Sequence, residues 1–212
     1  MSAEVIQGSE EWKRLRLGKL TASRVADATA KTKSGYSASR DNLKAALICE
    51  RLTGEAQDTY VNAAMAWGTE QEPTARQLYE LMMNVDVAQV GFVEHPTISM
   101  SGASPDGLTP DNGLIEIKCP GSAKHIETLL TEKIDGKYLK QMAWQMACTG
   151  RAYVDFVSFD PRLPAEMQLF IKRVHRDAVM IAELEQEARV FLKEVDDTIS
   201  QLTAKFGAME AA

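Results

Sequence analysis

Cysteine and histidine are scarce in this chain, three of each among 212 residues. Cys49, Cys119 and Cys148 are widely spaced and form no CxxC pair. That excludes a disulfide scaffold and points to reduced thiols in a cytosolic protein. His95, His125 and His175 show no paired metal-ligand spacing and receive no role. No apolar run approaches the ~18 residues that span a bilayer, so no membrane partner is expected. The opening residues, MSAEVIQGSEEW, lack a basic flank and an apolar stretch, so they do not read as a secretory signal. Internal repeats, low-complexity tracts and obvious linkers are missing too, which predicts one domain over residues 1–212.

What is present is an ordinary globular composition, 45% hydrophobic and 25% charged, with a formal net charge of −6. The sum of charge speaks against a nucleic-acid partner, but its distribution speaks for one. Lys13, Arg14, Arg16, Lys19, Arg24, Lys31 and Lys33 crowd one N-terminal segment in which Asp27 is the only acid. Local potential, not net charge, governs contacts to phosphate.

Periodicity outlines the elements. Ser9 followed by Glu10 and Glu11 reads as an N-cap with first-turn acids, opening a helix that ends near Gly18. Thr21-Ala22-Ser23 opens a short helix, and 31–39 reads as an exposed loop. Helices are expected over about 40–53, closed by Gly54, and from Asn62 to about Met83, with Pro73 inside. Val85–Glu94, Ile98–Ala103, Leu114–Cys119, Val154–Phe159 and Met167–Val174 read as strands. Helices fill 122–133 and 136–149. A long helix at about 176–206 carries an apolar stripe through Ile181, Leu184, Ala188, Phe191, Leu192, Val195, Ile199 and Leu202. Trp12, Trp67 and Trp144 are expected in the core or at an interface. The order predicts an α/β fold, a central mixed β-sheet flanked by helices.

The chemistry concentrates in Ser104-Pro105-Asp106-Gly107 and in Ile115-Glu116-Ile117-Lys118, a D-x₉-E-x-K spacing. Residues two apart on a strand share a face, so Glu116 and Lys118 point the same way. The preceding turn can bring Asp106 beside them. Two carboxylates suffice to hold hard Mg²⁺ against a phosphodiester, and two such ions can clamp the attacking and leaving oxygens. Asp106 is the candidate bridging ligand, Glu116 the second ligand, and the backbone carbonyl of Ile117 a third. Lys118 can orient the attacking water, lower its pKa or accept its proton, since a lysine pKa falls readily on burial or near positive charge. The bland alternatives are an ordinary turn for SPDG and a surface ion pair for Glu116 and Lys118. An otherwise apolar strand does not readily host such a pair without a function.

SPDG and IEIK together resemble the PD-(D/E)xK nuclease superfamily. More narrowly, Trp12-x₃-Arg16-Leu17-Gly18-x₂-Thr21-Ala22-Ser23 resembles the N-terminal motif of the phage lambda exonuclease (YqaJ-type) family. So do Ala66-Trp67-Gly68-x₃-Glu72, Cys119-Pro120 and Tyr138-x₂-Gln141, in that order along the chain. The resemblance implies a restriction-endonuclease-like core and a single nuclease domain. It implies a 5′→3′ exonuclease on linear double-stranded DNA that works without ATP, releases 5′-mononucleotides and leaves 3′ single strands. It also implies Mg²⁺, two ions with Mn²⁺ able to substitute, and a homotrimeric ring. A single-strand annealing protein is the implied partner, in a bacterial cytoplasm with phage or prophage origin.

By motif match Asp106, Glu116 and Lys118 are catalytic, and Glu72 lies on a helix lining the site. Arg16 is matched to the binder of the 5′-terminal phosphate, with Ser23 and Ser104 in the same pocket; a solvated arginine is the alternative. Gln141 and Tyr138 are assigned to the 5′ nucleotide or phosphate, and Lys33 to a DNA groove. Met65 is assigned to a wedge at the terminal base pair, or else to core packing. The enzymatic alternative is a site- or structure-specific endonuclease of the same superfamily. A DNA-binding or assembly protein with a vestigial site is disfavoured, because such a site need not keep acid, acid and lysine together.

Overall fold

A computed structural model of the protein describes residues 5–33, 35–57 and 63–207. Ser34 of the expected loop and Asn62 at the expected helix start lie outside the described residues, as do 1–4 and 208–212. The elements in order are α1 (Glu10–Arg16), β1 (Leu20–Thr21), a 3₁₀ turn (Ala22–Arg24), α2 (Val25–Ala28), β2 (Lys31–Thr32), β3 (Gly35–Tyr36), α3 (Ala38–Thr53) and α4 (Ala63–Met83). Then follow β4 (Val93–Glu94), β5 (Ser101–Ala103), β6 (Gly107–Thr109), β7 (Gly113–Lys118), α5 (Ser122–Thr131) and α6 (Gly136–Thr149). The last are β8 (Tyr153–Phe159), a second 3₁₀ turn (Ala165–Met167), β9 (Leu169–His175) and α7 (Ala178–Phe206).

Local chemistry explains the helix ends. Ser9 Oγ accepts from Trp12 N at 3.2 Å and caps α1, with Glu10 and Glu11 in the first turn where the helix dipole favours them. Gly54, at φ 70°, closes α3 in the left-handed conformation that costs glycine least.

Strands β6-β7-β8-β9 form a mixed four-stranded sheet, parallel only between β7 and β8. A second sheet, β1-β5-β4, is also mixed. On one face of the larger sheet Leu114, Val154 and Phe156 join the main core, filled by Met142, Trp144 and Met146 of α6 and the buried stripe of α7. On the other face Ile115, Ile117, Val157 and Phe159 pack on Ala75 and Tyr79 of α4. Strand β7 is therefore buried on both sides, which is why its apolar residues run nearly without a break. The α7 stripe packs on the core, as its 3.6-residue period predicts, from Ile181 to Val195.

Four elements differ from the sequence reading, the first being the expected 98–103 strand, of which only Ser101–Ala103 is strand. Only Val93–Glu94 of the expected 85–94 strand is strand, with one isolated bridge between Ala88 and Leu108. That bridge lies on the edge of β6 facing away from β7, and no continuous ladder forms there among the described residues. The 31–39 stretch is the hairpin β2–β3 followed by the start of α3. A tertiary contact orders it: Lys31 Nζ and Tyr36 Oη both bond Glu187 of α7, at 2.6 and 3.0 Å. Finally, Gly107 opens a strand and does not merely end a turn. A Cβ there would meet Val87 Cγ1 at 2.1 Å, so this close approach requires glycine.

Candidate active site

Gly107 pairs with Ile115 across β6 and β7, which sets Asp106 beside the Glu116–Ile117 peptide. Ile117 N donates to Asp106 Oδ2 at 2.6 Å. Glu116 and Lys118 share the face opposite Ile115 and Ile117, and Lys118 Nζ lies 2.5 Å from Glu116 Oε1. Glu116 is fully buried and Lys118 retains a partly open side chain. From α6, Gln141 Nε2 donates to Glu116 Oε1 at 2.6 Å and Gln145 Nε2 to Oε2 at 2.5 Å. The carboxylate is thus gripped from two elements. Glu72 approaches from α4, tied to Arg76 Nη2 at 2.9 Å.

Electrostatics mark this cluster. Burial, and then the Glu116 carboxylate, push Asp106 well above the ordinary aspartate range. Burial raises Glu72 as well, and Glu116 adds to the rise despite Arg76. Burial pulls on Lys118 in the opposite sense, but Glu116 and Asp106 outweigh it and hold the ammonium above the usual lysine value. Two carboxylates next to the amine outweigh its desolvation.

A cavity of about 180 Å³ opens onto these groups. Glu72, Asp106, Glu116, Ile117, Lys118 and Gln141 line one side, and Arg16, Ser23 and Ser104 the other. The Arg16 guanidinium lies 3.8 Å above the Trp12 ring. Burial, and then Arg24, push its pKa down to about 10, with no acid among the described residues offsetting them. An unneutralised, half-buried guanidinium is a ready anion site. Ser104 Oγ accepts from Trp12 Nε1 at 2.9 Å, and Ser23 Oγ lies 3.3 Å from Thr21 Oγ1.

The other residues singled out in the sequence stand apart from this cavity. Tyr138 stacks on Phe156 at 5.9 Å and passes 5.1 Å from Lys118 Nζ, behind the lysine. Lys33 is exposed in the turn of the β2–β3 hairpin. Met65 is 53% exposed in the first turns of α4, which rules out burial in this chain's core. His125 is a core residue bonded to Ser158 Oγ and the Met167 carbonyl.

Three residues at the site were not assigned to it from the sequence. Trp12, expected in the core or at an interface, is the platform under Arg16. Gln7 Nε2 bonds the carbonyls of Val90 and Pro105 and pins the SPDG turn from outside. Gln145 and Trp12 had a readable sign, an i+4 spacing from Gln141 on the inward face of α6 and from Arg16 on α1; Gln7 had none.

Residues 11–152 match the YqaJ-like viral recombinase domain. The chain belongs to the YqaJ-like viral recombinase family. The alkaline exonuclease LHK-Exo of Laribacter hongkongensis is 52% identical to this chain. It superimposes with a TM-score of 0.89, covering 96% of this chain and 100% of that one. One of its crystal structures is a complex with dAMP. A phage-related exonuclease from Haemophilus somnus 129PT is 17% identical with a TM-score of 0.72, covering 87% of this chain and 96% of that one, and shares the fold. The fold is restriction-endonuclease-like, as expected from the YqaJ-type motifs. No curated protein sequence matches the chain.

Proposed function

We propose that this chain is a metal-dependent 5′→3′ exonuclease of linear duplex DNA, acting as one nuclease domain over residues 1–212. One observation carries the reading: the acid, acid, lysine set and the unneutralised Arg16 guanidinium face the same cavity. The first is chemistry for a phosphodiester; the second is chemistry for a terminal phosphate.

The donor set fits a hard divalent cation. Glu72, Asp106 and Glu116 are mutually repelling oxygen donors, and Lys118 supplies the positive charge between them. Among the described residues no three His, Cys, Asp or Glu side chains form a closed metal cage, but Mg²⁺ needs only one or two carboxylates with waters and substrate phosphates. Asp106, Glu116 and the Ile117 carbonyl would hold it, with Glu72 beside them; two Mg²⁺, replaceable by Mn²⁺, is the arrangement we favour. The cations supply charge neutralisation at the phosphodiester and acidify water.

The chain's own residues do the rest. Gln141 and Gln145 fix the Glu116 carboxylate in one orientation. Lys118, cationic and tethered to Glu116, donates hydrogen bonds to the attacking water or the phosphoryl oxygens and steadies the charge that builds there. Arg16, flattened on Trp12, grips the 5′-phosphate with Ser23 and Ser104. Tyr138, Lys33 and Met65 extend the DNA contact beyond the cavity. Products are 5′-mononucleotides and a 3′ single strand. A homotrimeric ring, a single-strand annealing partner and a phage-derived role in a bacterial cytoplasm belong to the same reading, supported by membership of the YqaJ-like family.

The test uses linear duplex labelled at either the 5′ or the 3′ end, with closed circular duplex as control, in Mg²⁺. Early release of the 5′ label with an intact circle supports the reading. Nicking of the circle would instead favour an endonuclease. Light scattering of the purified chain reports whether it is a trimer.

A further inference from the structure

Arg162 lies in the loop after β8, beyond the 11–152 segment that matches the family. Its guanidinium touches three separate parts of the chain. Nε and Nη2 donate to Asp160 Oδ1 and Oδ2 at 2.7 and 3.0 Å. Nη2 also donates to the Pro120 carbonyl at 3.2 Å, two residues past Lys118. The guanidinium lies over the Trp67 indole, 4.2 Å from the ring centroid.

Asp160 is fully buried, so the two-point ion pair fixes the guanidinium from the core side. In the opening turns of α4 Ala63, Met65, Ala66, Thr69 and Glu70 are exposed, and Trp67 and Gly68 are half-buried. Gly68 runs against the Cys119 carbonyl, which a Cβ there would approach to 3.6 Å. The same stretch of helix leads directly to Glu72.

We propose that Arg162 is a positioning residue for catalysis: seated on Asp160 and Pro120, it clamps Trp67 and so holds Glu72 of α4 against the strand carrying Glu116 and Lys118. This rests on the exonuclease reading of the cavity. The competing role for Arg162 is to neutralise Asp160 and nothing more.

Trp67→Leu separates the two, because it leaves the Asp160–Arg162 pair intact. Full-length chain is assayed on end-labelled linear duplex in Mg²⁺. A lost cation–π contact corresponds to a kcat lower by about five-fold, with KM unchanged. Trp67→Phe keeps an aromatic face and restores kcat to within about two-fold. Arg162→Gln lowers kcat at least as far, and the double variant falls no further than Arg162→Gln alone. Full kcat in Trp67→Leu overturns the proposal, as do losses that simply add in the double variant. If Arg162→Gln does not fold, the comparison of Trp67→Leu with Trp67→Phe still decides. A wild-type chain that degrades no linear duplex would sink the exonuclease reading as well; normal wild-type digestion with an active Trp67→Leu sinks this proposal alone.

Discussion

Gln145 Nε2 donates to Glu116 Oε2 at 2.5 Å inside the core, 29 residues away along the chain. Glu116 is completely buried, and this amide is the sole donor on its second oxygen among the described residues. Replacing Gln145 by Leu strands a buried carboxylate oxygen. Losing one partner of a buried charged group costs about 1–3 kcal/mol or more. The expected outcome is a lower melting temperature together with at least a ten-fold drop in kcat, read by calorimetry and end-labelled digestion. Gln145→Glu is expected to be worse on both counts, since it sets a second carboxylate against the first.

Asp106→Asn is expected to separate activity from stability. The Asp106 carboxyl is held well above its ordinary range by burial and by Glu116. A carboxyl raised in the folded state weakens the fold as pH climbs past the unfolded value of about 3.9. The neutral amide removes that penalty. Activity should fall by a factor on the order of 100 or more, while the chain melts at a higher temperature near pH 8. A variant that melts lower would contradict the mutual repulsion of Asp106, Glu72 and Glu116.

Arg16→Ala is expected to act through the end, not the chemistry. Charge-assisted hydrogen bonds to phosphate are worth about 1.5–3 kcal/mol, so KM for 5′-phosphorylated duplex should rise by roughly ten-fold or more. Digestion of 5′-hydroxyl ends should change little. Equal losses on both substrates would move Arg16 out of the phosphate role and into simple packing on Trp12.

His95 places a buried imidazole between Trp144 and Glu185. Its ring lies 4.9 Å from Trp144, Nδ1 accepts from Thr97 N and Ile98 N, and Glu185 approaches Nε2 to 3.4 Å. Burial lowers its pKa, more than Glu185 raises it. A group depressed in the folded state contributes stability that is present above its unfolded pKa, about 6.5, and lost as pH falls below it. Urea melts between pH 8 and pH 5.5 should show this decline, and His95→Gln should flatten it.

The helices were legible because their causes are local. Ser9 and Gly54 mark their own helix ends, and the α7 stripe is a period written into residues 181–195. The pairing of Glu116 with Lys118 was legible for the same reason, since a strand repeats every two residues. The hairpin at Lys31–Tyr36 was not, because Glu187 of α7 orders it from more than 150 residues away.

By itself, then, the amino-acid sequence determined the face on which Glu116 and Lys118 lie and the motif order that marks the family. Only the tertiary structure decided that Trp12, four residues before Arg16 on α1, bonds Ser104, 92 residues away. It likewise decided that Gln145 completes the grip on Glu116, that Arg162 spans Asp160, Pro120 and Trp67, and that two carboxylates flank Lys118. Periodicity reports how a residue relates to its near neighbours in the chain. Which distant side chains then meet depends on how whole helices and strands pack, and the charge on a buried group depends on every neighbour that packing brings to it.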